Sequence, residues 1–143
     1  MGYAVQVVVD CSDPHPLADW WAQTLGWEVE RGDESFIRSM VEQGFATADD
    51  TTTHDGRLVW TAGAAITDPA GPPGTPRVLF QLVPEAKSVK NRLHLDVRAG
   101  GGLDEHRAAL EARGATFLHV GQQGPSSWIT MADPEGNEFC VTA

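Results

Sequence analysis

A strand-and-helix pattern that occurs twice constrains this chain more than any other feature. Gln6, in a β-branched run from Tyr3 to Val9, precedes the helix-ending Gly26 by 20 residues, and His94, in a run from Asn91 to Val97, precedes Gly114 by the same 20. Downstream, Asp68-Pro69-Ala70-Gly71 and Asp133-Pro134-Glu135-Gly136 fall at matching places. The span from Gly26 to Asp68 is 42 and that from Gly114 to Asp133 is 19, and the excess is close to the length of the helix-and-loop stretch Asp33 to Asp55. The pattern predicts an α+β fold of two βαβββ modules, the first carrying an inserted helix over about residues 34–43. At 143 residues the chain is expected to be a single domain, 1–143, with module one at 1–87 and module two at 88–143.

Local signals agree with that division. Asp13 and Pro14 stand at the N-cap and first position of a helix whose apolar stripe is Leu17, Trp20, Trp21, Thr24 and Leu25. Gly26 ends it, and Trp27 to Glu30 alternates as a strand. Asp33 precedes the inserted helix, with Phe36, Ile37, Met40 and Val41 along one side. The Thr- and Asp-rich stretch from Ala46 to Gly56 reads as a polar loop. Strands are expected at Arg57–Thr61, Ala64–Thr67 and Arg77–Val83, with a Pro- and Gly-rich loop from Asp68 to Pro76. In the second half a helix spans Leu103–Arg113, followed by strands Thr116–Val120, Trp128–Ala132 and Glu138–Thr142, with Gly121–Ser126 as a loop.

Charge and cysteine usage exclude several classes. A formal net charge of −10, spread along the chain, disfavours nucleic acid and anionic membrane as partners. No run of about 18 apolar residues exists, so no membrane span is expected. The N-terminal stretch enters a strand pattern without a basic n-region, so a cytoplasmic protein is expected. Cys11 and Cys140 lack metal-type spacing and read as free thiols.

Three short stretches carry a resemblance. Leu25-Gly26-Trp27, Lys90-Asn91-Arg92-Leu93-His94-Leu95-Asp96, and Asp133-Pro134-Glu135-Gly136-Asn137-Glu138-Phe139 occur in order on the repeat. Together they resemble the vicinal oxygen chelate superfamily, the glyoxalase, bleomycin-resistance and dioxygenase group, and among its members the actinobacterial-type glyoxalase-like proteins. The resemblance implies eight strands in two curved four-stranded sheets that enclose a cup, and a homodimer. It also implies that metal-using relatives take one ligand from the first and last strand of each module. Transferred by the repeat, those positions are Gln6 and His94 for the first strands and Gln81 and Cys140 for the last.

As a cation site this set is poor. Gln6 and Gln81 offer neutral oxygens, His94 a ring nitrogen and Cys140 a soft thiolate, with no carboxylate to offset a 2+ charge. Glu138 lies two residues before Cys140, on the same strand face, so Gln6, His94 and Glu138 form the alternative metal set. His94 also suits general acid or base work, with Glu138 beside it, and Asp96 shares its face. The bland reading of His94 is a pocket-wall histidine bonded to a glutamine. Trp60 and Trp128 are expected in matching strands, where an aromatic side chain can stack on a flat ligand or simply pack. Trp20, Trp21 and Trp27 fit core packing. Phe36, Met40 and Phe45 form either a lid or a covered sheet edge. His15, His54, His106 and His119 lack partner spacing and read as surface residues.

Three functions compete. The first is binding of an apolar or aromatic small-molecule metabolite or antibiotic, with no cofactor required. The second is a lyase, isomerase or ring-cleaving oxygenase that uses zinc, manganese or iron on vicinal oxygens. The third is an interaction domain with a filled cup.

Overall fold

The computed structural model describes residues 2–143 and carries two four-stranded mixed sheets, a two-stranded hairpin and three α-helices. The strands are β1 (Val7–Cys11), β2 (Glu28–Val29), β3 (Thr51–His54), β4 (Arg57–Trp60), β5 (Gly63–Thr67), β6 (Val78–Leu82), β7 (Leu95–Arg98), β8 (Thr116–Gln123), β9 (Ser126–Ala132) and β10 (Glu138–Thr142). The helices are α1 (Pro14–Leu25), α2 (Glu34–Glu42) and α3 (Leu103–Ala112), with a 3₁₀ turn at Ala48–Asp50. Two units separate after Glu85, and each holds one module.

The modules share one topology. The first sheet runs β1-β6-β5-β2 and the second β7-β10-β9-β8, so in each the first strand pairs with the fourth, the fourth with the third and the third with the second. In both, the first and last strands run parallel and the others antiparallel. This is the paired βαβββ arrangement that the spacing predicts.

Local chemistry explains the elements. Pro14 sits at the start of α1, and Gly26 closes it at φ 68°, donating its N–H to Ala22. The left-handed conformation there is the reason for glycine. Leu17, Ala18, Trp20 and Trp21 are buried on the sheet with Ile66, Val78 and Phe80. In the second module Leu110 of α3 and Ala115 are buried with Ile129, Met131, Phe139 and Val141. Burial of Phe, Ile, Leu and Met side chains at roughly 1.5–3 kcal/mol each is the main stabilising term in both. The paired Asp turns are built alike. Asp68 Oδ1 accepts from the Ala70 N–H at 2.9 Å, and Asp133 Oδ1 accepts from the Glu135 N–H at 2.9 Å.

Several boundaries move. The first strand begins at Val7, not Tyr3, and the second module's at Leu95, not Asn91; Tyr3, Val5 and Leu93 are exposed. The stretch read as a polar loop, 46–56, contains β3, which forms a hairpin with β4 around Asp55-Gly56 at φ 48° and 74°. Both central residues of such a turn need positive φ, which Asp and Gly supply. The loop read at Gly121–Ser126 is instead the tip of the β8–β9 hairpin. The insertion in module one is therefore α2, the 3₁₀ turn and a hairpin, where module two passes directly from β8 to β9. Trp60 consequently lies in inserted β4 and not in a strand matching that of Trp128: β9 corresponds to β5, and Gly63 is the counterpart of Trp128.

Candidate functional site

Register fixes which residues of the two modules correspond. Ile66 and Met131 each stand two residues before the turn aspartate, and they pair with Val78 and Phe139. Val78 and Phe139 pair in turn with Val7 and Leu95. Gln6 and His94 thus precede equivalent residues, in agreement with the 20-residue spacing, and each lies one residue outside its strand. The same register matches Arg77 with Glu138 and Leu79 with Cys140. Gln81 is two positions beyond the match to Cys140, because the Pro-rich stretch before β6 lengthens the turn. It stays on the same face as Leu79.

In module one, the face of β6 bearing Arg77, Leu79 and Gln81 lines an open cleft of roughly 1360 Å³. Ile37 of α2, Trp60 of β4 and Trp27 contribute to its walls. Glu34 Oε1 accepts the Leu58 N–H at 2.7 Å and so ties α2 to the hairpin that forms one side. Gln6 Oε1 accepts from Arg77 Nε at 3.1 Å, and Arg77 Nη1 meets Glu30 Oε2 at 2.6 Å. Phe36 is 54% exposed and Phe45 78%, and the α2 side chain that reaches the cleft is Ile37, not Phe36 or Met40. Trp27, expected in the core, is a half-buried cleft residue.

In module two, His94, Asp96, Glu138, Cys140 and Trp128 share the face away from Phe139 and Val141. His94 Nε2 is 3.2 Å from Asp96 Oδ1, and ligand atoms of His94, Asp96 and Cys140 lie within 4.8 Å of one another. Thr130 Oγ1 is 3.5 Å from Cys140 Sγ. Glu138 is engaged elsewhere: Oε1 accepts from Lys87 Nζ at 3.0 Å and Oε2 from the Asn91 N–H at 3.1 Å. Burial pushes this carboxyl up, but the Lys87 hydrogen bond, its own and the Asn91 backbone N–H groups and the Lys87 charge outweigh that and hold it at about 2. Trp128 lies flat over Gly121, its cross-strand partner, where any β-carbon would collide with the indole. Its ring fills the gap that glycine leaves in the ladder.

Sequence reasoning missed a cluster in module one. His15 is buried, and its Nε2 donates to the Trp60 carbonyl at 2.8 Å. Its ring stacks on His54 with centroids 5.2 Å apart, and His54 Nε2 meets Asp19 Oδ2 at 2.6 Å. His15 and His54 are therefore not simple surface residues. Asp19 lies 35 residues from His54, too far apart for any spacing rule to connect them.

Residues 6–142 match the family described as glyoxalase-like domain. No curated protein matches the chain. Solved structures do. A variant of the fosfomycin resistance protein FosX from Listeria monocytogenes, complexed with Mn(II) and 1S,2S-dihydroxypropylphosphonic acid, superposes with a TM-score of 0.63 at 9% identity, covering 100% of this chain and 92% of that one. A member of the glyoxalase/bleomycin resistance protein/dioxygenase superfamily from Sphaerobacter thermophilus gives 0.58 at 16% identity, covering 99% and 97%. At such identities the likeness is one of fold.

Proposed function

The chain belongs to the glyoxalase-like domain family, and from that premise we propose that it binds an apolar or aromatic small molecule in the module-one cleft without a catalytic ion. The observation that carries this reading is the cleft's lining. Trp27, Trp60, Ile37 and Leu79 offer flat and apolar surface, and Gln81 and Arg77 add a few polar groups. That mixture suits orientation of a largely buried ligand. Gln6, His94 and Glu138 do not fit a divalent ion, since Gln6 is held by Arg77 and Glu138 by Lys87 and Asn91. Drawing Glu138 away to seat an ion would leave Lys87 without its ionic partner.

The test is tryptophan fluorescence quenching across a panel of aromatic metabolites and antibiotics. Micromolar binding, on the order of −8 kcal/mol, is expected for at least one. Trp60→Ala should weaken it by about tenfold, a loss of roughly 1.4 kcal/mol of stacking and burial. His94→Ala should leave it unchanged. Binding indifferent to Trp60→Ala would sink the assignment to this cleft.

A second reading is favoured by one observation, the convergence of His94, Asp96 and Cys140. An ion held by those three would supply Lewis acidity for a lyase, isomerase or oxygenase acting on vicinal oxygens. Free of metal, Asp96 would instead orient the imidazole and His94 would move a proton. Binding that requires added zinc, manganese or iron and disappears in His94→Ala would establish this reading over the first.

A further inference from the structure

We propose that Asp19, His54 and Asp55 form a divalent-cation site that fastens the β3–β4 hairpin to α1 at the wall of the cleft. The ion that suits it is of borderline softness, zinc or a first-row neighbour. The inference does not rest on the ligand-binding reading, and its residues are separate from His94, Glu138 and Cys140.

Three parts of module one meet here. Asp19 comes from α1, His54 from the end of β3, and Asp55 from the hairpin turn. One ligand atom from each lies within 4.8 Å of the others. His54 Nε2 is 2.6 Å from Asp19 Oδ2 and 3.6 Å from Asp55 Oδ2. Ligand atoms about 2.1 Å from a tetrahedral ion stand about 3.4 Å apart, so the observed separations bracket what such an ion needs. Seating it would widen the first contact by less than 1 Å.

Charge points the same way. Asp19 and Asp55 are two carboxylates whose described salt bridges are with His54 alone. The arginine across the ladder does not help. Arg57 is the ladder partner of His54, yet its guanidinium reaches the Gly32 carbonyl at 3.3 Å and Glu34 at 4.0 Å. One imidazole and two carboxylates neutralise a 2+ ion and offer the mixed nitrogen and oxygen donors that zinc accepts.

The surroundings supply the rest of a site. His15 stacks on His54 and is itself pinned to the Trp60 carbonyl, which restrains the plane of the ligating ring. His15, Asp19, His54 and Asp55 all line the cleft, so water can complete the coordination sphere. An ion there would hold the hairpin that carries Trp60.

The test is calorimetric titration of chelator-stripped, desalted protein with Zn²⁺. Wild type, His54→Ala, Asp55→Asn and the His94→Ala/Cys140→Ser double variant are compared. Wild type and the double variant should share one binding event that His54→Ala abolishes and Asp55→Asn weakens more than about tenfold. Asn tolerates positive φ, so Asp55→Asn keeps the turn and decides the matter even if His54→Ala fails to fold. Absorption of the Co²⁺-loaded double variant in the visible should likewise be lost on Asp55→Asn. Zinc binding absent from the double variant, or unchanged by Asp55→Asn, would overturn the proposal while leaving the ligand-binding reading standing. Any EDTA sensitivity of ligand binding that Asp55→Asn removes traces to this ion; sensitivity that His94→Ala removes traces to the other module.

Discussion

In module one, Gln6 accepts a hydrogen bond from Arg77, which also meets Glu30. In module two the residue at Arg77's place is Glu138, and its partner is Lys87. The two positions share a register and a face but carry opposite charge. Likewise Trp128, which covers Gly121, has a glycine, Gly63, as its counterpart. A repeated backbone fixes which side chains are neighbours and leaves their chemistry free. The apolar positions behind the sheet show the reverse: Val78 matches Phe139 and Phe80 matches Val141, and all four are buried. Packing density constrains that layer in both modules, whereas water-facing positions tolerate inversion of charge.

The largest effects should fall on the shared layer. Phe80→Ala and Phe139→Ala are each expected to cost about 3–5 kcal/mol in urea unfolding. A difference above about 2 kcal/mol between them would show that one core depends on its phenylalanine more than the other. The turn aspartates should separate the modules. Asp133 is 2% exposed and accepts from the Glu135 and Asn137 N–H groups, so Asp133→Ala should cost about 1–3 kcal/mol. Asp68 is half-buried rather than buried, and the described hydrogen bond to its carboxylate comes from the Ala70 N–H, so Asp68→Ala should cost less, about 0.5–1 kcal/mol, in the same assay.

Glu138 sharpens the contrast through pH. Its folded-state pKa of about 2 lies below the ordinary 4.5, so the unfolded chain binds the extra proton between those values. The stabilisation, about 1–2 kcal/mol once residual contact with water is allowed for, is present above about pH 4.5 and lost as pH falls toward 2. Glu138→Gln should flatten that part of a stability-versus-pH curve; an unchanged curve would remove Glu138 as its source. A comparably small effect is expected in the insertion. Asp33 caps α2 by accepting from Ser35 N–H at 2.8 Å, and Asp33→Ala should cost about 1 kcal/mol by thermal unfolding.

Legibility followed the range of each interaction. Helices α1 and α3, the Asp turns and the module order rest on local chemistry, and the sequence carries them openly. Strand β3 did not read as a strand because Thr51-Thr52-Thr53 has no apolar alternation; its pairing with β4 comes from the Asp55-Gly56 turn. The expected match of Trp60 with Trp128 failed because the inserted hairpin supplied a strand where a module strand was anticipated. At the site, Glu138 and Cys140 share a face as period two requires, and Asp96, on the face of His94 by the same rule, meets it. That Lys87 and Asn91 occupy Glu138, and that His15, Asp19 and His54 gather, depends on tertiary approach across 35–51 residues.

The parallel pairing of first and last strands has a consequence for the order of assembly. Val7 meets Val78 across 71 residues, but Leu95 meets Phe139 across only 44. Loop-closure entropy rises as (3/2)RT ln n, so the longer closure costs about 0.4 kcal/mol more, roughly a twofold difference in rate. On refolding, the C-terminal sheet should seal first, and pulse-labelled amides of Leu95 to Arg98 should gain protection ahead of those of Val7 to Cys11. A ribosome delivers the halves in the opposite order, yet the N-terminal sheet cannot seal until its last strand has emerged. The inserted helix and hairpin therefore act as a delay as well as a wall.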